Sequence, residues 1–244
     1  MQHSKKKHID TVHRIIGIVI VGGFIYLLGT SFFFYYLGMM FFGKPATLYN
    51  VTLAQVLLYQ ASYPVLGSPV PYAHHQLSRT YFIQGDLDKA LSEARMELAT
   101  YPNDTATYYV LGLTLGFMNR EKEAIEAFSE FIKYNPGTWS AANDKAWLQF
   151  RIGDIQGAIV TIKPMAERAT DNAWIQNTYC TLMINVKDYT SAKQACIFAK
   201  NAAEKMTEKD WGRAYPGNDP RIYGTGLNAM RISINENLKL VEKK

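Results

Sequence analysis

Residues 105–138 read TATYYVLGLTLGFMNREKEAIEAFSEFIKYNPGT, and their organisation decides the fold. Two halves with helical apolar spacing meet at Asn119-Arg120, and Pro136 closes the segment. Pro102 lies 34 residues earlier. Stepping by 34 without a gap gives PYAHHQLSRTYFIQGDLDKALSEARMELATYPND (71–104), WSAANDKAWLQFRIGDIQGAIVTIKPMAERATDN (139–172) and AWIQNTYCTLMINVKDYTSAKQACIFAKNAAEKM (173–206). Small residues fall in register: Ser78, Gly112, Ala146 and Cys180 in the first halves, Ala90, Ala124, Ala158 and Ala192 in the second. Turn residues recur at Gly85-Asp86, Asn119-Arg120, Gly153-Asp154 and Lys187-Asp188. A fixed period of this length marks stacked helical hairpins: no single helix can bury its apolar face, so neighbouring units stack and share one core. Small residues facing each other let the two backbones of a unit approach closely. Pro164 lacks an amide donor and predicts a kink in its helix near Lys163.

The pattern resembles the tetratricopeptide repeat family, a 34-residue helix–turn–helix unit. The second copy matches at Tyr108, Leu111-Gly112, Ala124, Phe128 and Pro136, and the first at Leu77, Tyr81, Gly85, Ala90 and Pro102. The third copy has Lys145 where leucine is usual, and the fourth lacks the closing proline. The resemblance covers residues 71–206 and implies an all-α fold, an α-solenoid of about four repeats.

In this family the first helices line a concave face that holds extended or helical peptides. The resemblance therefore places Tyr72, His75, Arg79 and Phe82 in a partner-binding groove, followed by Tyr109, Leu113 and Phe117. Asn143, Trp147, Phe150 and Arg151 come next, and Trp174, Asn177 and Asn185 last. Aromatic, amide and arginine side chains of this kind are enriched at interfaces. The branch of the family that grips chaperone tails clamps a terminal carboxylate with a Lys/Asn/Arg set. Here His75, Arg79, Val110, Ser140 and Asp144 stand at those places, so the clamp is absent.

Both flanks of the stack need covers, because solenoid ends expose core. Residues 208–220 read as a loop, with Asp219 as N-cap and Pro220 at the first position of a terminal helix. Leu227, Met230, Ile234, Leu238 and Val241 then form an apolar stripe at spacings of three and four, which predicts a capping helix over 220–242. A partner-binding amphipathic helix fits the same stripe. On the other side, 46–63 (ATLYNVTLAQVLLYQASY) is uncharged but polar in places. It fits a helix at a membrane surface or an amino-terminal cap, with 65–71 as linker.

Further out, residues 15–43 hold 29 residues without a charge, sixteen of them Ile, Val, Leu or Phe. About 20 apolar residues suffice to span a bilayer, and the run reaches ~43 Å as a helix. It is twice the ~7–15 residues of a signal-peptide core and ends in FFGKPA rather than a cleavage site. A single transmembrane anchor, inserted in the lipid bilayer through 15–43, is expected, with Phe32–Tyr36 and Phe41-Phe42 at the far interface. Lys5, Lys6, Lys7 and Arg14 on the amino side outnumber Lys44 on the other, so the amino terminus is expected in the cytoplasm.

The net charge of +5 does not point to nucleic acid. Residues 1–44 carry +4 and 205–244 carry +3, while 71–204 carry −2; a nucleic-acid binder concentrates basic charge on its folded domain. No nucleophile, zinc-protease, P-loop or dinucleotide motif occurs, His74-His75 point about 100° apart on a helix, and no catalytic residue, metal ligand or cofactor is predicted. Cys180 and Cys196 fall on the two helices of the fourth repeat, either as small buried thiols or as a disulfide clip in an oxidising compartment.

The organisation expected is a basic cytoplasmic tail (1–14), an anchor (15–43), an interfacial or capping segment (44–70), four repeats (71–206) and a loop with a C-terminal capping helix (207–244). The expected role is non-enzymatic: an extracytoplasmic scaffold for protein or peptide partners in a bacterial cell envelope. A cytosol-facing receptor for targeting peptides and a carbohydrate-binding solenoid are the alternatives.

Overall fold

The computed structural model describes residues 2–42, 48–64, 68–214 and 226–244, and among them it contains helices and no strand. α1 (Gln2–Phe42) and α2 (Leu48–Ser62) precede the repeats. Four hairpins follow: α3 (Ala73–Gln84) with α4 (Leu87–Thr100), α5 (Thr105–Phe117) with α6 (Glu121–Tyr134), α7 (Trp139–Arg151) with α8 (Ile155–Arg168), and α9 (Ala173–Asn185) with α10 (Tyr189–Glu204). α11 (Glu208–Ala214) and α12 (Gly226–Glu242) complete the chain.

The second helices start at Leu87, Glu121, Ile155 and Tyr189, in steps of 34. The turn chemistry repeats with them. Gly85, Asn119, Gly153 and Lys187 all take left-handed backbone, with φ of 79°, 58°, 83° and 62°. Glycine and asparagine tolerate that region, whereas Lys187 accepts its strain. The next residue caps the second helix: the carboxylates of Asp86, Asp154 and Asp188 accept from the amides of Lys89, Gly157 and Ser191.

Within a repeat, the small residue of the first helix meets the residue sixteen positions on. A Cβ added at Gly112 would lie 2.9 Å from the Phe128 ring. Cys180 is disulfide-bonded to Cys196, with Cα atoms 5.3 Å apart. Ser78 instead donates to the carbonyl of Ala90 (2.7 Å). The register Ala94, Phe128, Ile162 and Cys196 is buried in every copy. α8 runs through Pro164 without ending. Pro164 and Val160 both lie on the solvent side, where water can satisfy the carbonyl that the missing amide leaves unpaired.

Helices close both ends. α12 packs on α10 and α9 as α7 packs on α6 and α5, so it stands where the first helix of a fifth repeat would. Leu227, Ile234 and Val241, seven apart, are its buried seam. The Arg231 guanidinium donates to the carbonyls of Ala203 and Met206 at the end of α10. Residues 208–214 are a helix rather than the expected loop. Thr207 and Asp210 form a reciprocal cap, the threonine hydroxyl donating to the carboxylate and accepting the Asp210 amide. The expected start at Asp219-Pro220 lies outside the described residues.

At the other end α2 buries Val51, Ala54, Leu58 and Ala61. It packs antiparallel to α1 on one side and against α3 on the other. Phe41 and Phe42 are half-buried against the core that Leu58, Leu77 and Tyr81 share, so they belong to the solenoid rather than to a far interface. Earlier in α1 the described side chains at 13–23 are all exposed, Ile18 at 71%. Among the described residues no helix is long and apolar enough to cross a membrane. The side chains at 24, 25 and 27–29, inside the expected span, and all of 43–47 lie outside the described residues.

Candidate partner-binding face and the joint at the first repeat

The face expected to bind partners divides into three groups. His75, Phe82, Leu113, Asn143 and Trp174 are buried between repeats. Phe82 and Phe117 meet edge to face across the first two repeats, 5.3 Å between centroids. Asn143 accepts a hydrogen bond from the Thr178 hydroxyl (2.8 Å), joining the third and fourth repeats. Trp174, 9% exposed, stacks between Trp139 and Trp211.

Tyr109, Phe117, Phe150 and Asn177 are half-buried. Tyr109 packs on Phe128 and Phe131, and its hydroxyl donates to Asp144 (3.2 Å). Burial pushes the Asp144 carboxyl up to about 8, against the opposing effect of that hydrogen bond, so it is largely protonated at neutral pH. Burial likewise raises the Tyr109 hydroxyl well above its ordinary range.

Five residues remain outward: Tyr72, Arg79, Trp147, Arg151 and Asn185. Two of these are occupied. Arg79 lies over the Phe42 ring, 4.6 Å from its centroid, and Arg151 donates to Asn119 and Glu121. Trp147, 44% exposed and backed by Phe150 at 5.4 Å, and Tyr72, 48% exposed, are the large aromatics left open on this face among the described residues. A half-exposed tryptophan on a rigid helix is the type of side chain that anchors an interface.

The densest polar cluster sits elsewhere, at the start of the first repeat. Glu93 accepts from the Tyr63 hydroxyl (2.8 Å) and from His74 Nδ1 (2.6 Å). Glu97 accepts from the amides of Tyr72 (2.8 Å) and His75 (3.2 Å), two groups that α3 itself cannot satisfy. Thr107 donates to Asp104, so His75 Nδ1 must donate to Thr107. Burial lowers His75 to about 4, with Asp104 opposing, and it stays neutral at pH 7. Burial raises Glu97, while the two amides hold it down. These groups satisfy one another, and among the described residues no three His, Cys, Asp or Glu side chains are placed to hold a metal. Sequence reading passed over this cluster because its members are spread from 63 to 107 with no motif spacing. Only the pairing of two histidines with glutamates in an otherwise apolar register hints at it.

The tetratricopeptide repeat profile matches residues 105–138, the second hairpin. No curated protein matches the chain. Solved structures share the fold. The chain is similar to MamA of strain AMB-1 at 16% identity and a TM-score of 0.60, over 72% of this chain and 93% of that one. It is similar to MamA of strain MSR-1 at 16% identity and a TM-score of 0.55, over 74% and 96%. MamA of Desulfovibrio magneticus RS-1, from residue 41 onward, gives 14% identity and a TM-score of 0.51, over 70% and 96%. Four hairpins with the same left-handed turn residue, stacked in steps of 34 around the matched copy, give the chain the tetratricopeptide-repeat fold.

Proposed function

We propose that the chain is a membrane-anchored scaffold: α1 holds it in a bilayer, its amino terminus is cytoplasmic, and its repeats bind a protein partner on the extracytoplasmic side. The observation that carries the reading is the apolar arm. Ile15, Ile16, Ile18, Val19, Ile20 and Val21 are all exposed on a helix that continues directly out of a solenoid. Water is a poor solvent for that surface and hydrocarbon a good one. The four-to-one Lys/Arg bias supports the orientation, and the bonded cysteines suit an oxidising compartment. With α2 and α12 covering the ends, the open aromatic at Trp147 offers the partner contact, and the anchor confines the search to the membrane surface.

A reporter active only in the cytoplasm, fused after Lys244, is expected to be silent; strong activity would refute the orientation. A photo-crosslinking amino acid replacing Trp147 in native membranes is expected to capture a protein. Capture no stronger than from a site on α8 such as Val160 would remove the face from consideration.

A further inference from the structure

The direction of α1 fixes which edge of the solenoid faces the bilayer, an inference that rests on the anchor reading above. Gly38 lies against Leu58, and Tyr35 joins Ala61, so α1 and α2 are antiparallel. Gln84 contacts Thr52 while Val70 and Ala73 join Ala61, so α2 and α3 are antiparallel too. α1 therefore runs in the direction of every first helix. Phe42 is level with Arg79, and Tyr35 with Ala73. Followed toward lower numbers, α1 leaves the solenoid at the edge where the first helices begin. The 17 residues from Ile15 to Ser31 reach about 25 Å beyond that edge, most of a ~30 Å hydrocarbon slab.

An independent observation separates this edge from the opposite one. Its inter-repeat loops, 101–104, 135–138 and 169–172, hold two charges, the buried Asp104 and the exposed Asp171, and the adjoining ends of the second helices add Lys133, Glu167, Arg168 and Glu204. The opposite edge, made of the turns inside each repeat, holds Asp86, Arg120, Asp154, Lys187 and Asp188, and the adjoining helix starts add Asp88, Lys89, Glu121, Lys122 and Glu123. Exposed aromatics divide the same way. Tyr63, Tyr72 (48% exposed) and Tyr134 (56%) lie on the loop edge, and among the described residues no exposed aromatic lies at the turns. Tyr72 stands there with φ of 66°, a left-handed backbone that favours glycine, its amide fixed by Glu97. Tyrosines at the less charged rim suit the headgroup layer, where an aromatic body and a polar tip are both accommodated.

We infer that the solenoid stands on the membrane on its loop edge: Tyr63, Tyr72 and Tyr134 lie at the lipid headgroups, the helices run close to the bilayer normal, and the charged turns point away. The first helices, 12 or 13 residues at about 1.5 Å each, put the turns roughly 20 Å further out. The concave face then opens sideways, parallel to the membrane plane.

The test uses the full chain, its native cysteines bonded, in vesicles of phosphatidylethanolamine and phosphatidylglycerol at 3:1. Single cysteines replace exposed residues at the loop edge (Asn103→Cys, Gly137→Cys, Asp171→Cys) or beside the turns (Asp88→Cys, Lys122→Cys, Gln156→Cys), and each carries a donor fluorophore facing a headgroup-attached acceptor. Transfer from the loop-edge sites is expected to be at least twice that from the turn sites. Equal or reversed transfer in chains that float with the vesicles after alkaline carbonate overturns the orientation and leaves the anchor standing. Chains that fail to float overturn the anchor and the orientation together.

Discussion

Two glycines four residues apart on α5 should respond to the same substitution with opposite signs. An alanine Cβ at Gly112 would sit 2.9 Å from Cε1 of Phe128 and 3.0 Å from both Cδ atoms. Phe128 is 1% exposed and its ring is held edge-on by Tyr109 at 5.6 Å, so the ring has nowhere to retreat. Overpacking of this kind costs about 1–3 kcal/mol, against a gain of up to ~1 kcal/mol for replacing glycine in a helix. Gly112→Ala should therefore lose about 1–2 kcal/mol. At Gly116 the nearest atoms are Leu148 Cδ2 at 3.6 Å and Cδ1 at 3.7 Å, ordinary contact distances. Only the helix gain remains, so Gly116→Ala should stabilise by roughly 0.5–1 kcal/mol. At about 2–4 °C per kcal/mol for a chain of this size, the two variants should melt on opposite sides of wild type. The assay is thermal and urea unfolding of the full chain in detergent, followed by far-ultraviolet circular dichroism, with hydrogen exchange of α5 and α6 amides to localise the change. Gly112→Ala melting at or above wild type would refute the claim that close approach to Phe128 explains this glycine.

The other expectations concern the groove, the clip and the buried acid. Trp147→Ala should weaken partner capture by about 1–3 kcal/mol with helicity unchanged, whereas Tyr109→Ala should lower the melting temperature because its ring is packed on Phe128 and Phe131; equal loss of helicity in both variants would count against the open-face assignment. Reduction of Cys180–Cys196 frees a short loop, sequence separation 16, and should cost about 3 kcal/mol, with faster hydrogen exchange in α9, α10 and α12 and little change in α3–α6; unchanged exchange in α9 and α10 would contradict it. Asp144 holds its proton in the folded chain up to about pH 8, while the unfolded chain releases it near 3.8, so raising the pH between those values favours unfolding. Asp144→Asn, which mimics the protonated form, should therefore melt higher than wild type at pH 9 and match it near pH 4; a constant difference across that range would show that the carboxyl does not titrate as argued.

The stacking was legible in the sequence because each repeat restates its own turn. Gly85, Asn119, Gly153 and Lys187 mark one left-handed position, and aspartate caps follow three of them. The groove was less legible, for a physical reason: first-helix side chains face either the next repeat or the open face, and helical spacing alone does not separate the two. Trp147 and Trp174 looked alike in sequence, yet one is open and the other is covered by Trp211. That cover rides on α11, a seven-residue helix with too little apolar periodicity to register. Its signal was the cap, Thr207 followed three residues later by Asp210, rather than the pattern. Phe41-Phe42 misled in the same way, since an aromatic pair suits an interface and a core equally well until a neighbour such as Arg79 is placed on it.

The buried cluster at the first repeat gives the arm mechanical meaning. The chain from Tyr63 to Tyr72 is the link between the arm hairpin and the repeats, and α4 holds it at both ends. Glu93 takes the Tyr63 hydroxyl, Glu97 takes the Tyr72 amide, and the Tyr101 hydroxyl donates to the Pro69 carbonyl at 2.5 Å. A free linker of this length would let a tethered solenoid sample many tilts. Each of these bonds instead ties the link to a helix packed in the core, and releasing Glu97 would strand two amides at about 1–3 kcal/mol each. Tilt of the arm is thereby passed to the stack rather than absorbed at a hinge. If α1 anchors the chain as proposed, the same contacts that fill the first repeat hold the open face around Trp147 at a set height and angle to the membrane.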